Sequence, residues 1–421
     1  MKAFRHKEKG FGITYDDIFL VNGARTPFGK LCGALGRISP TDLGVYASRA
    51  AIEKSGLAPH DIDQIFYANI GQSSPDAYFL PRHIGLYSGI PQTVPAALVQ
   101  RICGSGFETI VAGAEQIALG KAQTALCGGA ENMTLSPTAA FGNRMGYPLG
   151  KHGFVDMLWE ALNDTAAVPM GCTAENVAKQ YGISRSDADE YAHSSLERYT
   201  AAHARGFFEG EIVKMNSAVF EVPGLRPRKV SLPPKTKDFA TDENARPSDP
   251  EAMAKLTPVF APDGVQTAGN SSGIVDGAAS VVVASGDVVR AHNLRPLARV
   301  AASATSAIDP RVMGLGPVPA IRLLLEMTEL SLGDIGLIEI NEAFAAQYLG
   351  CERELGLDRS RCNVNGGAIA LGHPLAATGT RLSLTLAREM AARQVRYGIA
   401  SACIGGGQGI ALLFENPNAT R

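Results

Sequence analysis

Four short stretches of this chain set reactive side chains beside glycines. "VQRICGSGFETI" (99–110) places Cys103 ahead of Gly-Ser-Gly and a helical pattern, and "NEAFAAQ" places Asn341 and Glu342 directly after a strand-like run. "NVNGGAIALGHP" ends in His373, with Pro374 positioned to open a helix, and "SACIGGGQG" sets Cys403 before three glycines. A thiol at a helix mouth meets unpaired N–H groups and the positive end of the helix dipole, so Cys103 is expected to ionise more readily than an ordinary thiol. Each residue alone also has a plain structural reading. Cys103 and Cys403 suit a core, His373 a hydrogen-bonded turn, and Asn341 a turn or helix cap. Together they are two thiols, an imidazole and a carboxamide, beside glycines that let a ligand approach the backbone. That set suits thioester chemistry, which needs a nucleophilic thiolate, a base to form it, a second acid/base and N–H donors for an oxyanion. The GGGQG run opens no helix and gives little support to a dinucleotide loop.

These residues need elements to hold them. "DIFLVNGA" (17–24), "IDQIFYANI" (62–70) and "TALCGGA" (124–130) read as buried strands, and 41–56 and 108–122 carry the apolar spacing of helices. Such alternation predicts parallel sheets covered on both faces. The second half resembles the first: "HDIDQIFYAN" (60–69) is echoed by "GDIGLIEIN" (333–341), and a helix over 380–394 leads into "IASACIGGGQG" (399–409). Two stacked halves would bring their strand ends together, where ligands of α/β proteins bind. Residues 133–262 break the rhythm with scattered Met, the only Trp (Trp159) and the basic "RPRKVSLPPKTK" (226–237), and read as an insertion that serves either binding or cover.

At 421 residues the chain is long enough for two or three domains. A net charge of −2 gives no case for a nucleic-acid partner. Seven widely spread cysteines, an odd number, suit free thiols in a reducing compartment, and with no CxxC pair a metal site has little support. The basic N-terminal stretch lacks the apolar run of a secretory signal, and no run of 18 apolar residues suggests a membrane span, so a cytoplasmic enzyme is expected.

The motifs "RICGSGFETI", "GGAENM", "MGCTAENVAKQYGISR", "TAGNSSG", "MGLGPVPA", "NEAFAAQ", "GGAIALGHP" and "CIGGGQG" span nearly the whole chain, which strongly resembles the thiolase family. It looks most like the 3-ketoacyl-CoA thiolases of β-oxidation, with acetoacetyl-CoA thiolases close by. The resemblance implies an α/β thiolase fold of five layers, α-β-α-β-α. Its first half would be residues 15–132 with 263–292, its inserted CoA-binding loop domain 133–262, and its second half 293–421. It implies Cys103 as the acylated nucleophile, His373 as its base, and Cys403 as the acid/base at the α-carbon of acetyl-CoA. Asn341 would hold a water that forms one oxyanion hole with His373, and the N–H groups of Cys103 and Gly405 would form the other. Ser272, Arg246, Ala268, Phe260 and Met170 would meet the substrate or CoA, with Arg246 stacked on adenine. Coenzyme A would be a substrate, with no permanently bound cofactor, and the protein a homodimer or homotetramer.

Three positions depart from the family pattern. Ala376 stands where Gly is usual and is expected to narrow the site, Val275 replaces a common Asn, and Pro169 replaces a His frequent in acetoacetyl-specific relatives. The last leans toward a broader or longer acyl substrate. Rival readings are an acetoacetyl-CoA thiolase working in the condensing direction, a ketoacyl synthase, a non-catalytic thiolase-like lipid carrier and a cysteine protease. Cys403 speaks against a synthase, whose carbanion arises by decarboxylation.

Overall fold

The computed structural model describes residues 1–147, 149–150, 153–245 and 249–419. Strands β1 (Lys2–His6) and β2 (Gly10–Thr14) form an antiparallel hairpin ahead of β3 (Ile18–Arg25) and helix α1 (Pro40–Ser55). The first half continues through β4 (Gln64–Ala68), β5 (Ala96–Leu98), α2 (Ser105–Ala118) and β6 (Thr124–Glu131). After a long excursion that includes α3 (Met170–Tyr181) and α4 (Arg185–Ala204), the chain returns as β7 (Val275–Ser285). The second half holds β8 (Ala298–Ala307), α5 (Pro317–Thr328), β9 (Leu337–Ile340) and α6 (Ala345–Leu355). It closes with α7 (Leu375–Arg393), β10 (Tyr397–Ile404) and β11 (Gln408–Glu415).

The strands bond in the order β9-β10-β11-β8-β3-β7-β6-β4-β5. The two halves meet where Ala298 and Arg299 of β8 pair with Leu20 and Phe19 of β3. The expectation of parallel sheets needs correcting. Pairings β4/β5, β4/β6 and β9/β10 are parallel, but β7 runs antiparallel to both β3 and β6, and β11 antiparallel to both β10 and β8. The cause is local in the second half: Gly406 and Gly407, at φ +84° and +80°, turn the chain back in a tight hairpin, so β11 can only oppose β10.

Alternate strand residues serve opposite faces, and this builds five layers. Val281 and Val283 of β7 pack in a central cluster with Phe107, Ile110, Leu382 and Leu386 of α2 and α7, whereas Val282 faces Leu43 and Ala47 of α1. In the second half Leu337, Ala400 and Leu412 face the same central helices, while Ile338, Ile340, Ile399 and Leu413 face Ile321 and Leu349 of α5 and α6. The helix beginning beside Cys103 is therefore one of the two central helices. α2 and α7 cross at glycines: a Cβ on Gly106 would lie 2.6 Å from the Thr380 nitrogen, and one on Gly379 2.3 Å from the Phe107 nitrogen. This close crossing brings the start of each half's central helix to the other.

The insertion is tied to the first half through a buried charge cluster. Arg25 Nε donates to Glu211 at 2.7 Å, and its two terminal nitrogens donate to Asp242 at 2.6 and 2.9 Å, all fully buried.

Candidate active site

Cys103 sits in a strained turn. The preceding Ile102, a β-branched residue, has φ +42°, a conformation that costs about 1–3 kcal/mol and is kept only where the surroundings enforce it. They do so here: Ser105 Oγ donates to Ile102 O at 2.7 Å and accepts from Arg101 N at 2.6 Å, and Gly104 N donates to Arg101 O at 2.9 Å. α2 begins only at Ser105, so the thiol lies just outside the helix it was expected to use. Burial governs its acidity and pushes it up to about 12, against the opposing N–H groups of Gly405 and of Cys103 itself. The expectation of an acidified thiol is thus corrected: desolvation outweighs the dipole.

His373 enters from the second half, immediately before α7. Its Nδ1 lies 2.6 Å from Thr378 Oγ1, and its Nε2 lies 3.2 Å from Asn341 Nδ2. Thr378 Oγ1 donates its one proton to Pro374 O at 3.0 Å, so it accepts from His373 Nδ1–H. This makes Nε2 the acceptor nitrogen; here it accepts from the Asn341 amide at 3.2 Å, a contact that must give way when Nε2 takes a proton. Asn341 Oδ1 is buried and has no hydrogen-bond partner among the described residues. Burial, and next the nearby Arg381 charge, drive the imidazole down to about 3, so it is neutral across physiological pH. Cys403, at the end of β10, is fully buried and held well above the usual thiol range, first by burial and then by neighbouring Cys103.

Cys103 and His373 border a cavity of about 250 Å³. Cys103, His373, Ser272, Phe260 and Met170 line it, as does Pro169, and Phe260 stands edge-on to Phe344 at 5.7 Å. Cys403 packs with Met170, Met313 and Ala343 just behind that wall. Ala268 is exposed and is not among the lining residues. Arg246 lies outside the described residues. The basic run at 226–237 contributes Arg228 to structure, since Nε and Nη1 bind Asp42 at 2.6 Å and Asp76 at 2.7 Å.

Ala376 does not line the cavity. Its side chain packs in a cluster with Cys103, Met133 and Leu375, and its N–H donates to Glu131 Oε2 at 3.0 Å. That carboxylate also accepts from Gly71 N at 2.9 Å and Asn69 Nδ2 at 3.1 Å, joining the end of β6 to the first turn of α7. Val275 fills a separate cluster with Phe28 and Leu371. Sequence reasoning missed Thr378 and the apolar wall of Trp159, Leu162 and Leu375. A hydroxyl five residues after a His-Pro helix start was the available signal for the first; the wall carries no local signal.

Comparison with known proteins agrees with this geometry. The family models "Thiolase, N-terminal domain" and "Thiolase, C-terminal domain" match residues 18–287 and 294–416. The chain is 44% identical over 402 residues to the mitochondrial 3-ketoacyl-CoA thiolases of Bos taurus and Homo sapiens, covering 95% of this chain and 98% of each relative. It is 40% identical over 408 residues to an acetyl-CoA acetyltransferase of Cupriavidus necator, covering 95% and 99%. The crystal structure of human mitochondrial 3-ketoacyl-CoA thiolase in complex with CoA superposes with a TM-score of 0.89 at 44% identity, over 95% of this chain and 98% of that one. The mitochondrial names of such relatives overturn the expected cytoplasmic location. With family models matching both halves and relatives at this identity along almost its full length, the chain belongs to the thiolase family.

Proposed function

We propose that this protein is a 3-ketoacyl-CoA thiolase of the β-oxidation type, an acyltransferase that cleaves its substrate with CoA through an acyl-cysteine. The observation that carries the reading is the cavity that Cys103 and a neutral His373 both line, with Nε2 made the acceptor nitrogen by Thr378 and with Cys403 behind the wall. Cys103 Sγ gives its proton to His373 Nε2 and attacks the 3-keto carbon. The C2–C3 bond breaks, and the acetyl-CoA carbanion takes the proton of Cys403. In the second half-reaction CoA attacks the acyl-cysteine, its thiol proton goes to the Cys403 thiolate, and Cys103 recovers its own proton from His373. Atoms and charges balance over the cycle. The N–H groups of Cys103 and Gly405 serve one oxyanion, and a water held by Asn341 serves the other together with His373.

Ser272, Phe260 and Met170 are assigned to the acyl-pantetheine end, and Arg246 and Ala268 to the outer CoA. We read the chain as halves 15–132 with 263–292 and 293–421 around a CoA-binding insert at 133–262, assembled as a homo-oligomer in mitochondria. Sedimentation as a 44.3 kDa monomer would contradict the oligomer. The deciding experiment is thiolysis of 3-ketoacyl-CoA substrates of increasing chain length. Activity extending beyond the four-carbon substrate is expected from the largely apolar cavity wall. Activity confined to acetoacetyl-CoA would favour the acetyltransferase reading instead, and no thiolysis of any member would reject both.

A further inference from the structure

Two ionisable side chains lie buried near His373 without the partners that such groups ordinarily require when buried. Arg381 is 1% exposed, and none of its three guanidinium nitrogens has a hydrogen-bond partner among the described residues. Glu339 is 2% exposed, its Oε2 is likewise unpartnered, and neither residue makes an ion pair among the described residues. Burying an arginine this way costs several kcal/mol, and an apolar side chain of similar volume would serve packing better.

Their positions follow a rule. His373 is held by Asn341 on one side and Thr378 on the other. Asn341 continues the β9 ladder, its N–H bonded to Ser401 O at 2.9 Å, so Glu339, two residues earlier, shares its strand face toward the central helices. Arg381 follows Thr378 by three residues on α7 and shares its helix face. Each element that grips the imidazole thus carries, at its next same-face position, a buried ionisable group, one basic and one acidic. Resting on the thiolase reading, we propose that Arg381 and Glu339 are a positioning pair that acts through His373 and sets how long the imidazole keeps the proton taken from Cys103.

The cation opposes imidazolium formation, so a proton on His373 is passed on quickly, and Glu339, which burial raises to about 8, offsets that push only where it ionises. The acidity of His373 is consistent with this, since Arg381 is the charge that adds to burial in lowering it. Other charged or titratable groups around this region are already engaged or remain the same in the variants below. Glu342 accepts from Tyr191, Ser195, Asn363 and Ile369. Glu131 is held by Gly71 and Ala376, Arg25 is paired with Glu211, and Glu389 binds Arg205 and Arg393. Cys103 and Cys403 complete the set.

The test is the pH profile of Cys103 alkylation by iodoacetamide, which needs no CoA substrate, in the wild type, Arg381→Met, Arg381→Lys and the double variant Arg381→Met/Glu339→Gln. Removing the cation should raise the acid limb of the profile by one pH unit or more, and Arg381→Lys, which keeps the charge, should leave it in place. The double variant removes the buried cation together with the buried carboxyl, a change that folds tolerate well, and should show the same rise, because Glu339 is protonated across the acid limb. An acid limb unmoved in Arg381→Met and in the double variant, or moved equally by Arg381→Lys, would overturn the proposal and leave Arg381 a packing residue. Should Arg381→Met not fold, the double variant decides. A wild type that is alkylated normally but cleaves no 3-ketoacyl-CoA would reject the functional reading without touching this result.

Discussion

Thr378 Oγ1 accepts from His373 Nδ1 at 2.6 Å while donating to Pro374 O at 3.0 Å, and this one hydroxyl decides which imidazole nitrogen is the base. Because the threonine proton is spent on a backbone carbonyl, Nδ1 must carry the hydrogen and Nε2 the lone pair. Thr378→Val removes the acceptor, leaves Nδ1–H buried without a partner and frees the other tautomer. Acylation of Cys103 by acyl-CoA should fall by about 100-fold, the low end of the range that a positioned general base contributes. Thr378→Ser keeps the hydroxyl and should recover most of the rate. Equal losses in both variants, measured by rapid-quench acylation, would show that packing at Thr378 matters and its hydroxyl does not.

The buried neutral imidazole also leaves a mark on stability. His373 titrates near 3 when folded, against an ordinary value near 6.5, so between those pH values the unfolded chain binds more protons than the native one at this site. Its contribution to stability is present above about pH 6.5 and is lost as pH falls toward 3. Glu131 and Glu339, raised by burial to about 7 and about 8, act in the opposite sense, losing stability as pH rises through those values. The wild type must therefore be compared with His373→Gln. The difference in denaturation midpoint between the two should change steadily from pH 6.5 down to the onset of acid unfolding. A difference that stays flat over that range would mean that His373 is not held neutral in the folded protein.

What could be read from the residues divides along a physical line. Cys103, Asn341, His373 and Cys403 were legible because glycine-rich turns mark places where backbone comes close to a ligand, and that is a local property. The repeat of the two halves was legible for a similar reason: Asp-Ile followed by an apolar run and Asn recurs as β4 before Asn69 and as β9 before Asn341. The acidity of Cys103 was not legible, since it depends on burial among residues such as Leu375 and Ala376, which arrive from hundreds of residues away. Nor was the antiparallel insertion of β7 between β3 and β6, because an apolar run looks the same in either direction. Arg381 escaped notice because a lone arginine in a helical pattern is ordinarily a solvated residue, and only packing reveals it as buried.

Arg25 offers a test of how the insertion is anchored. It stands fully buried between Glu211 and Asp242. Arg25→Ala leaves two carboxylates facing each other without a counter-charge, a type of change that costs about 3–5 kcal/mol. The denaturation midpoint should drop accordingly. Arg25→Ala with Asp242→Asn should recover part of the loss, because one of the stranded charges is then removed. A double variant no more stable than Arg25→Ala alone would show that the loss comes from packing against Phe28 and Phe208.

The two active-site thiols should divide the chemistry, and their surroundings say how. Cys103 borders the cavity and stands beside the Gly405 N–H, whereas Cys403 is wholly buried behind Met170, where burial and then Cys103 itself hold its thiol well above the usual range. A short pulse of iodoacetamide should therefore label Cys103 first. Neither thiol is ionised at rest, so this labelling should depend on His373, and His373→Ala should slow it by at least about 100-fold, the low end of what a general base contributes. Cys103→Ser should nearly abolish acyl-enzyme formation from acyl-CoA, because the weaker hydroxyl nucleophile replaces the thiol. Cys403→Ser should still accept an acyl group by thioester exchange, which moves no proton on carbon, yet fail to exchange the α-hydrogens of acetyl-CoA with deuterated water. Mass spectrometry of the intact protein reads the first property and of acetyl-CoA the second. Acylation lost in both variants, or hydrogen exchange retained in Cys403→Ser, would overturn this division.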